Sequence, residues 1–213
     1  MSRSLRRLGG LSAVLLLLLV AAVFAMSALR VGFSGTEAET AAARAAADAA
    51  GVPLDSWKTL VVASSGSVGA PATTAWEVFS RLEEWPLWST PLHLGARWAG
   101  EPGFRVAGGF EQVLALGFPL GTVRTREFVT RLTPGREVTW CRDEAGIVSC
   151  HVWRFTPVTP TRTFVVNVEV LHGGPVGLFA PLVQSRWSRL FQRAVSGLAR
   201  RAEGEAEGAA TVP

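Results

Sequence analysis

The sequence predicts an α+β fold, a curved antiparallel sheet of about seven strands wrapped around a long C-terminal helix and preceded by an N-terminal transmembrane helix. Three observations lead there. An uncharged apolar run opens the chain, strand-like alternation fills its middle from Leu92 to Leu171, and a helical apolar stripe closes it. A curved sheet must cover its apolar face, and the final helix is the only element long enough to do so.

The opening run extends from Leu8 to Leu29 without a charge. At about 1.5 Å per residue it makes a helix of about 33 Å, enough to cross a hydrocarbon core of about 30 Å. Arg3, Arg6 and Arg7 precede it, whereas Glu37 and Glu39 follow soon after Arg30. This bias keeps the N-terminus in the cytoplasm and carries the rest of the chain across the membrane. A cleaved signal peptide is the competing reading, with cleavage after Ala25; the domain is extracytoplasmic in both cases, and secreted in the second. The expected layout is a basic cytoplasmic flank at 1–7, the membrane segment at 8–29, a linker at 30–56, one domain at 57–203 and a disordered tail at 204–213.

Composition narrows the partners. Twenty arginines against one lysine suggest a GC-rich, bacterial coding genome, and the net charge is only +4. No basic run is interleaved with aromatic residues, so nucleic acid is not an expected partner.

The linker carries Thr36 and Glu39 as a capping box, then an alanine-rich stretch ended by Gly51. Having little but alanine to bury, it reads as a helical spacer, with a partner-binding helix as the alternative. Lys58–Val68 reads as the first strand. A helix follows, with Thr74 and Glu77 as its capping box and Ala75, Val78, Phe79 and Leu82 on one face, and Pro86 is expected to break it between Trp85 and Trp88. The last helix is expected over 175–203, becoming regular near Pro181. Its stripe is Leu182, Val183, Trp187, Leu190, Phe191, Val195 and Leu198, opposed by Arg186, Arg189, Arg193 and Arg200.

One hairpin can be read residue by residue. A two-residue turn at Ala145-Gly146 sets Cys141 opposite Cys150, Trp140 opposite His151, Val138 opposite Trp153 and Glu137 opposite Arg154. One face then collects Glu137, Thr139, Cys141, Cys150, Val152 and Arg154, and the other Val138, Trp140, His151, Trp153 and Phe155. The two cysteines fall at a non-hydrogen-bonded pair, with Cα atoms roughly 4.5 Å apart, so an oxidising compartment favours a disulfide; two free thiols are the alternative.

From Thr59 to Glu203 the chain resembles the START-like SRPBCC superfamily, which includes polyketide cyclases, coenzyme Q-binding proteins and the birch pollen allergen family. The resemblance rests on PATTAWEVFSRLEEWPLWS, on FEQVLALGFPLGTVRTREFVTRLTPGREVTW and on QSRWSRLFQRAVSGLARRAE. It implies a helix-grip fold with a hydrophobic cavity between the sheet and the C-terminal helix, and leaves the ligand open.

The inward rings Trp140, Trp153 and Phe155, with Phe110, Phe164 and Trp187 near them, are the expected lining of that cavity, and Trp98 and Phe104 its mouth. Taken singly, each reads better as a core residue; together they fit a lined cavity. His151, on the inward face, is the candidate acid or base, with Glu127 as its candidate carboxylate. The facing of Gln112 is open, and His93 and His172 fall in connections. Ser64-Ser65-Gly66 and Ser149 lack an elbow or a neighbouring acid, no metal-ligand spacing occurs, and the glycine pairs form no phosphate loop, so neither metal nor cofactor is expected. Three readings remain: a non-catalytic carrier or sensor for a hydrophobic small molecule or lipid, a cyclase- or aromatase-like enzyme working through His151, and a tethered interaction domain with a filled core.

Overall fold

The structure, a computed structural model, describes residues 33–117 and 120–210, together with Ala21. Apart from Ala21, the membrane segment expected at 8–29 lies outside the described residues. Among the described residues no helix is long and apolar enough to cross a membrane.

Helix α1 (Glu37–Ala50) leads into β1 (Thr59–Val68), α2 (Ala72–Ser80), a 3-10 turn (Leu82–Glu84) and the short α3 (Trp85–Trp88). Strands β2 (His93–Trp98), β3 (Gly109–Gly117), β4 (Gly121–Thr133), β5 (Glu137–Glu144), β6 (Ile147–Thr159) and β7 (Arg162–His172) follow, and α4 (Gly174–Ala210) closes the chain. The seven strands form one antiparallel sheet in the order β1-β7-β6-β5-β4-β3-β2. The sheet curls as a half-barrel around α4, whose Val176, Ala180, Val183, Trp187, Phe191, Val195 and Leu198 are buried in the main core. This is the fold expected from the order of elements.

The β5–β6 hairpin has the register read from the sequence, from Glu137 opposite Arg154 to Glu144 opposite Ile147. Its turn is a two-residue one in which both Ala145 (φ 53°) and Gly146 (φ 75°) adopt the left-handed region. Turns of that kind match the right-handed twist of the flanking strands. Cys141 and Cys150 are joined, with their Cα atoms 4.1 Å apart.

Several local expectations are corrected. The first domain helix begins at Ala72 behind Pro71 and has no side-chain cap, so Thr74 and Glu77 form no capping box. Pro86 opens α3 rather than breaking a longer helix, because the first turn asks no N–H of it. Helix α4 carries Pro181 in its interior instead of starting there, and Leu182, 55% exposed, leaves the apolar stripe. Residues 204–210, expected to be part of a tail, continue α4. Its end is tied down by Glu203, which accepts from Gly69 N–H, and by Glu205, which is paired with Arg81 and Arg201.

The largest departure is α1. It caps as read, with reciprocal Thr36 and Glu39 bonds and Gly51 in the left-handed region. It is not a spacer, however. Ala42, Ala43, Ala46 and Ala47 are buried on the convex face of the sheet against Val61, Cys150, Val152, Val166, Val168 and Val170. Small side chains let the helix backbone approach a valine-covered surface closely. β6 and β7 are therefore buried on both faces.

Candidate ligand-binding site

The concave face of the sheet is divided into three zones. At one end the rings of Trp76, Phe79, Trp85, Phe104, Trp140 and Trp153 pack on one another. Phe79 lies 5.3 Å from Phe104 and 5.1 Å from Trp153, and Phe110 lies 5.2 Å from Trp140, centre to centre. These spacings are those of contacting rings, so this zone is filled. Trp98, Phe104, Phe110, Trp140, Trp153 and Phe155, expected around the ligand, are all part of this packed core. Phe164 is corrected further. It lies on the opposite face of β7 from Val165 and packs into the cluster under α1.

At the other end is a cavity of ≈ 250 Å³. Its apolar wall is Leu92, Leu114, Leu116, Val123, Ile147 and Leu171 from the sheet side, faced by Phe179, Trp187 and Phe191 of α4. Leu120, 37% exposed, lies at its rim. The Trp187 ring is held across the cavity by its N–H, which donates to the Leu116 carbonyl at 3.3 Å. Of the expected lining residues, Trp187 and His151 are the two that the cavity exposes.

Between the filled end and the cavity runs a belt of polar side chains, one from nearly every strand. Ser89 donates to His93 Nδ1, His93 Nε2 donates to Gln112 Oε1 at 3.1 Å, and Gln112 Nε2 donates to Glu127 Oε1 at 3.2 Å. Each assignment forces the next, because a carboxylate at the end requires the amide to turn its NH₂ toward it. Arg142 Nε lies 3.5 Å from the same Glu127 oxygen, yet among the described residues it makes no hydrogen bond. On β6 and β7, His151 Nε2 donates to Asn167 Oδ1, and Ser149 donates to Glu169 Oε1 at 2.6 Å. With its proton on Nε2, His151 turns the lone pair of Nδ1 toward Glu169, whose Oε2 is 4.0 Å away.

Burial sets the protonation of this belt. It drives His93 down to about 3, with His151 adding to the effect and the Gln112 bond opposing it. It likewise drives His151 down to about 4, against the Asn167 bond and the charge of Glu127. Both rings are neutral at physiological pH. Burial raises Glu127, with Glu169 adding and Arg142 opposing, and it raises Glu169 against the bond from Ser149 and the charge of Arg142. The Arg142 guanidinium thus stands among the carboxyls of Glu127 and Glu169 and the exposed one of Glu144.

The expected pair His151 and Glu127 is not assembled. Glu127 lies in the belt between Gln112 and Arg142, and the carboxyl facing His151 is Glu169. His93 is not in a connection but opens β2, buried in the belt. Gln112 faces inward, and His172 lies at the end of β7 bound to the Thr59 hydroxyl. Arg142 was within reach of the sequence, since it stands two residues beyond the inward Trp140. Among the described residues no group of histidine, cysteine and carboxylate side chains is arranged to hold a metal ion.

With this geometry established, residues 59–203 match the model of the family described as polyketide cyclase / dehydrase and lipid transport. The chain belongs to that family. No curated protein sequence matches it. Solved structures resemble it in fold. A protein from Thermus thermophilus is 16% identical with a TM-score of 0.57, over 68% of this chain and 99% of that one. The Zhui aromatase/cyclase of a Streptomyces species is 17% identical with a TM-score of 0.52, over 72% and 97%. A START superfamily protein of Mycobacterium smegmatis is 15% identical with a TM-score of 0.50, over 70% and 98%. At such identities the likeness shows the fold, which is the START-like helix-grip fold anticipated from the sequence.

Proposed function

We propose that the protein is a membrane-anchored, non-catalytic carrier or sensor that binds an apolar small molecule or lipid on the extracytoplasmic side. The observation that carries this reading is the cavity of ≈ 250 Å³ between the sheet and α4, walled by aliphatic and aromatic side chains and floored by polar groups. The charge bias around residues 8–29 supports the topology. The lipid-transport part of the family description and the START superfamily neighbour agree with a binding role. The test is extraction of the full chain, purified under non-denaturing conditions, followed by mass spectrometry of the released small molecules. A stoichiometric apolar compound is expected. Absence of both a co-purified compound and uptake of an apolar probe would mean a filled tethered domain instead. A protease added to intact cells tests the topology and is expected to reach the domain.

One observation favours a second reading, an acid–base enzyme of the aromatase/cyclase type. His151 presents an unprotonated ring nitrogen at the cavity, next to the raised carboxyl of Glu169. That reading requires turnover of a polyketide-like substrate, with product formation abolished by His151→Ala.

A further inference from the structure

The floor of the cavity contains an imbalance that constrains what binds there. Its charged and titratable groups are Arg142 from β5, Glu169 from β7, His151 from β6 and His93 from β2, with Glu127 of β4 behind them and Arg124 at the exposed rim. The α4 side chains facing them, Phe179, Trp187 and Phe191, carry no charge. The guanidinium of Arg142 is set among carboxyls, with Glu127 3.5 Å from its Nε, the exposed Glu144 3.9 Å from its Nη1 and Glu169 acting on it through charge, yet among the described residues its Nε–H makes no hydrogen bond. Beside it stand acceptors with room for a bond, Nδ1 of His151 and the Oε2 atom of Glu169.

Resting on the reading of this cavity as a binding site, we propose that its ligand carries an uncharged oxygen head, a hydroxyl or carbonyl, which accepts from the Arg142 guanidinium where it lines the cavity. A hydroxyl in addition donates to His151 Nδ1 or Glu169. The alternatives each leave a buried group uncompensated. A carboxylate or phosphate head pairs with Arg142 but brings a further anion beside two carboxyls. An ammonium head has no acceptor for Arg142 and sets a second cation against it. Uncompensated charges of this kind are costly in a site poor in water, whereas a neutral donor–acceptor completes the belt.

Four probes of equal chain length separate these cases: octanol, octanoate, octylammonium and octane. The full chain is placed in nanodiscs of zwitterionic lipid, with empty discs as the reference. Binding is read from the indole N–H resonance of Trp187 on the cavity wall, assigned with Trp187→Phe. Octanol is expected to bind about tenfold or more tightly than either charged probe and than octane, the scale of one good buried hydrogen bond. Arg142→Met is expected to abolish the preference for octanol over octane. Should that variant not fold, Glu169→Gln removes the surplus acid and is expected to strengthen octanoate binding about tenfold. Equal or tighter binding of octanoate or octylammonium by the native chain overturns the proposal and leaves the cavity reading intact, as does octanol binding no better than octane. Binding of none of the four overturns both.

Discussion

Gly197 of α4 lies against the carbonyl of Trp88 at the end of α3, so close that a Cβ at position 197 would overlap that oxygen. The contact fixes how deeply the C-terminal helix sits in the sheet, because the obstructing atoms are backbone and have no rotamer to escape into. Gly197→Ala is therefore expected to cost about 2 kcal/mol or more by overpacking. For a chain of this size that is a fall of roughly 4–8 °C in Tm. Thermal unfolding followed by circular dichroism checks this, and an unchanged Tm would mean that α4 is not seated against Trp88.

The belt makes stability depend on pH in two opposed ways. His93 and His151 have folded values of about 3 and about 4, below the ordinary 6.5. Their contribution is full above pH 6.5 and is lost as the pH falls through 6.5 toward those values. Glu127 and Glu169 are raised above the ordinary 4.5, so their contribution is full below 4.5 and lost as the pH rises through the raised values. A single substitution isolates the first effect. His93→Gln keeps a polar side chain without a titrating ring, so the Tm advantage of the native chain over it is expected to shrink from about pH 7 to about pH 5. A constant difference across that range would show that His93 is not held neutral by burial.

The order of elements and the β5–β6 register were legible because each rests on local signals, punctuation between strands and a turn whose residues accept the left-handed region. The lining of the cavity was not. Val166, Val168 and Val170 alternate with Asn167 and Glu169 along β7, and the usual rule turns the valines inward. In the fold they turn outward under α1, and the polar pair enters the belt. The alanines of α1 hide this inversion, since a helix of small side chains shows no strong apolar face. For the same reason Phe164 was assigned to the wrong side. The ring residues misled differently. Inward facing on a sheet is a period-two property, but whether a ring packs or lines a void depends on position along the barrel axis, which alternation does not encode.

Docking of α1 is testable apart from the rest. Ala46 is fully buried against the valine face, and Ala46→Asp places a carboxylate there without a partner. Hydrogen exchange is expected to speed up by about tenfold or more over residues 37–50, in keeping with loss of a local stabilisation of about 1–2 kcal/mol. The inner strands β3 to β5 are expected to keep their protection. Unaltered exchange in α1 would mean that the helix does not depend on this contact.

Two substitutions distinguish the filled end from the cavity. Trp153→Ala removes a buried ring from the aromatic core and is expected to cost about 3–5 kcal/mol. Leu114→Trp adds volume where the wall faces the cavity, so it is expected to abolish uptake of an apolar probe with little loss of Tm. Calorimetric melting and probe titration together check the pair. Probe binding that survives Leu114→Trp would place the ligand elsewhere on the fold.

The Cys141–Cys150 pair ties together the strands that carry the belt, for the chain neighbours of the two cysteines include Arg142 and His151. The enclosed loop is short, with a sequence separation of 9, and closing a loop of that length constrains the unfolded chain by about 2.5 kcal/mol. Reduction is therefore expected to lower stability by about that amount and to speed exchange at the β5–β6 amides first. The same pair reports on compartment. Under the proposed topology, protein recovered with the membrane fraction under rapid acid quench is expected to show no thiol open to alkylation, whereas protein retained in a reducing cytoplasm by deletion of residues 1–32 is expected to show two. Alkylation of both cysteines in the membrane-recovered protein would refute the extracytoplasmic topology and the oxidised pair together.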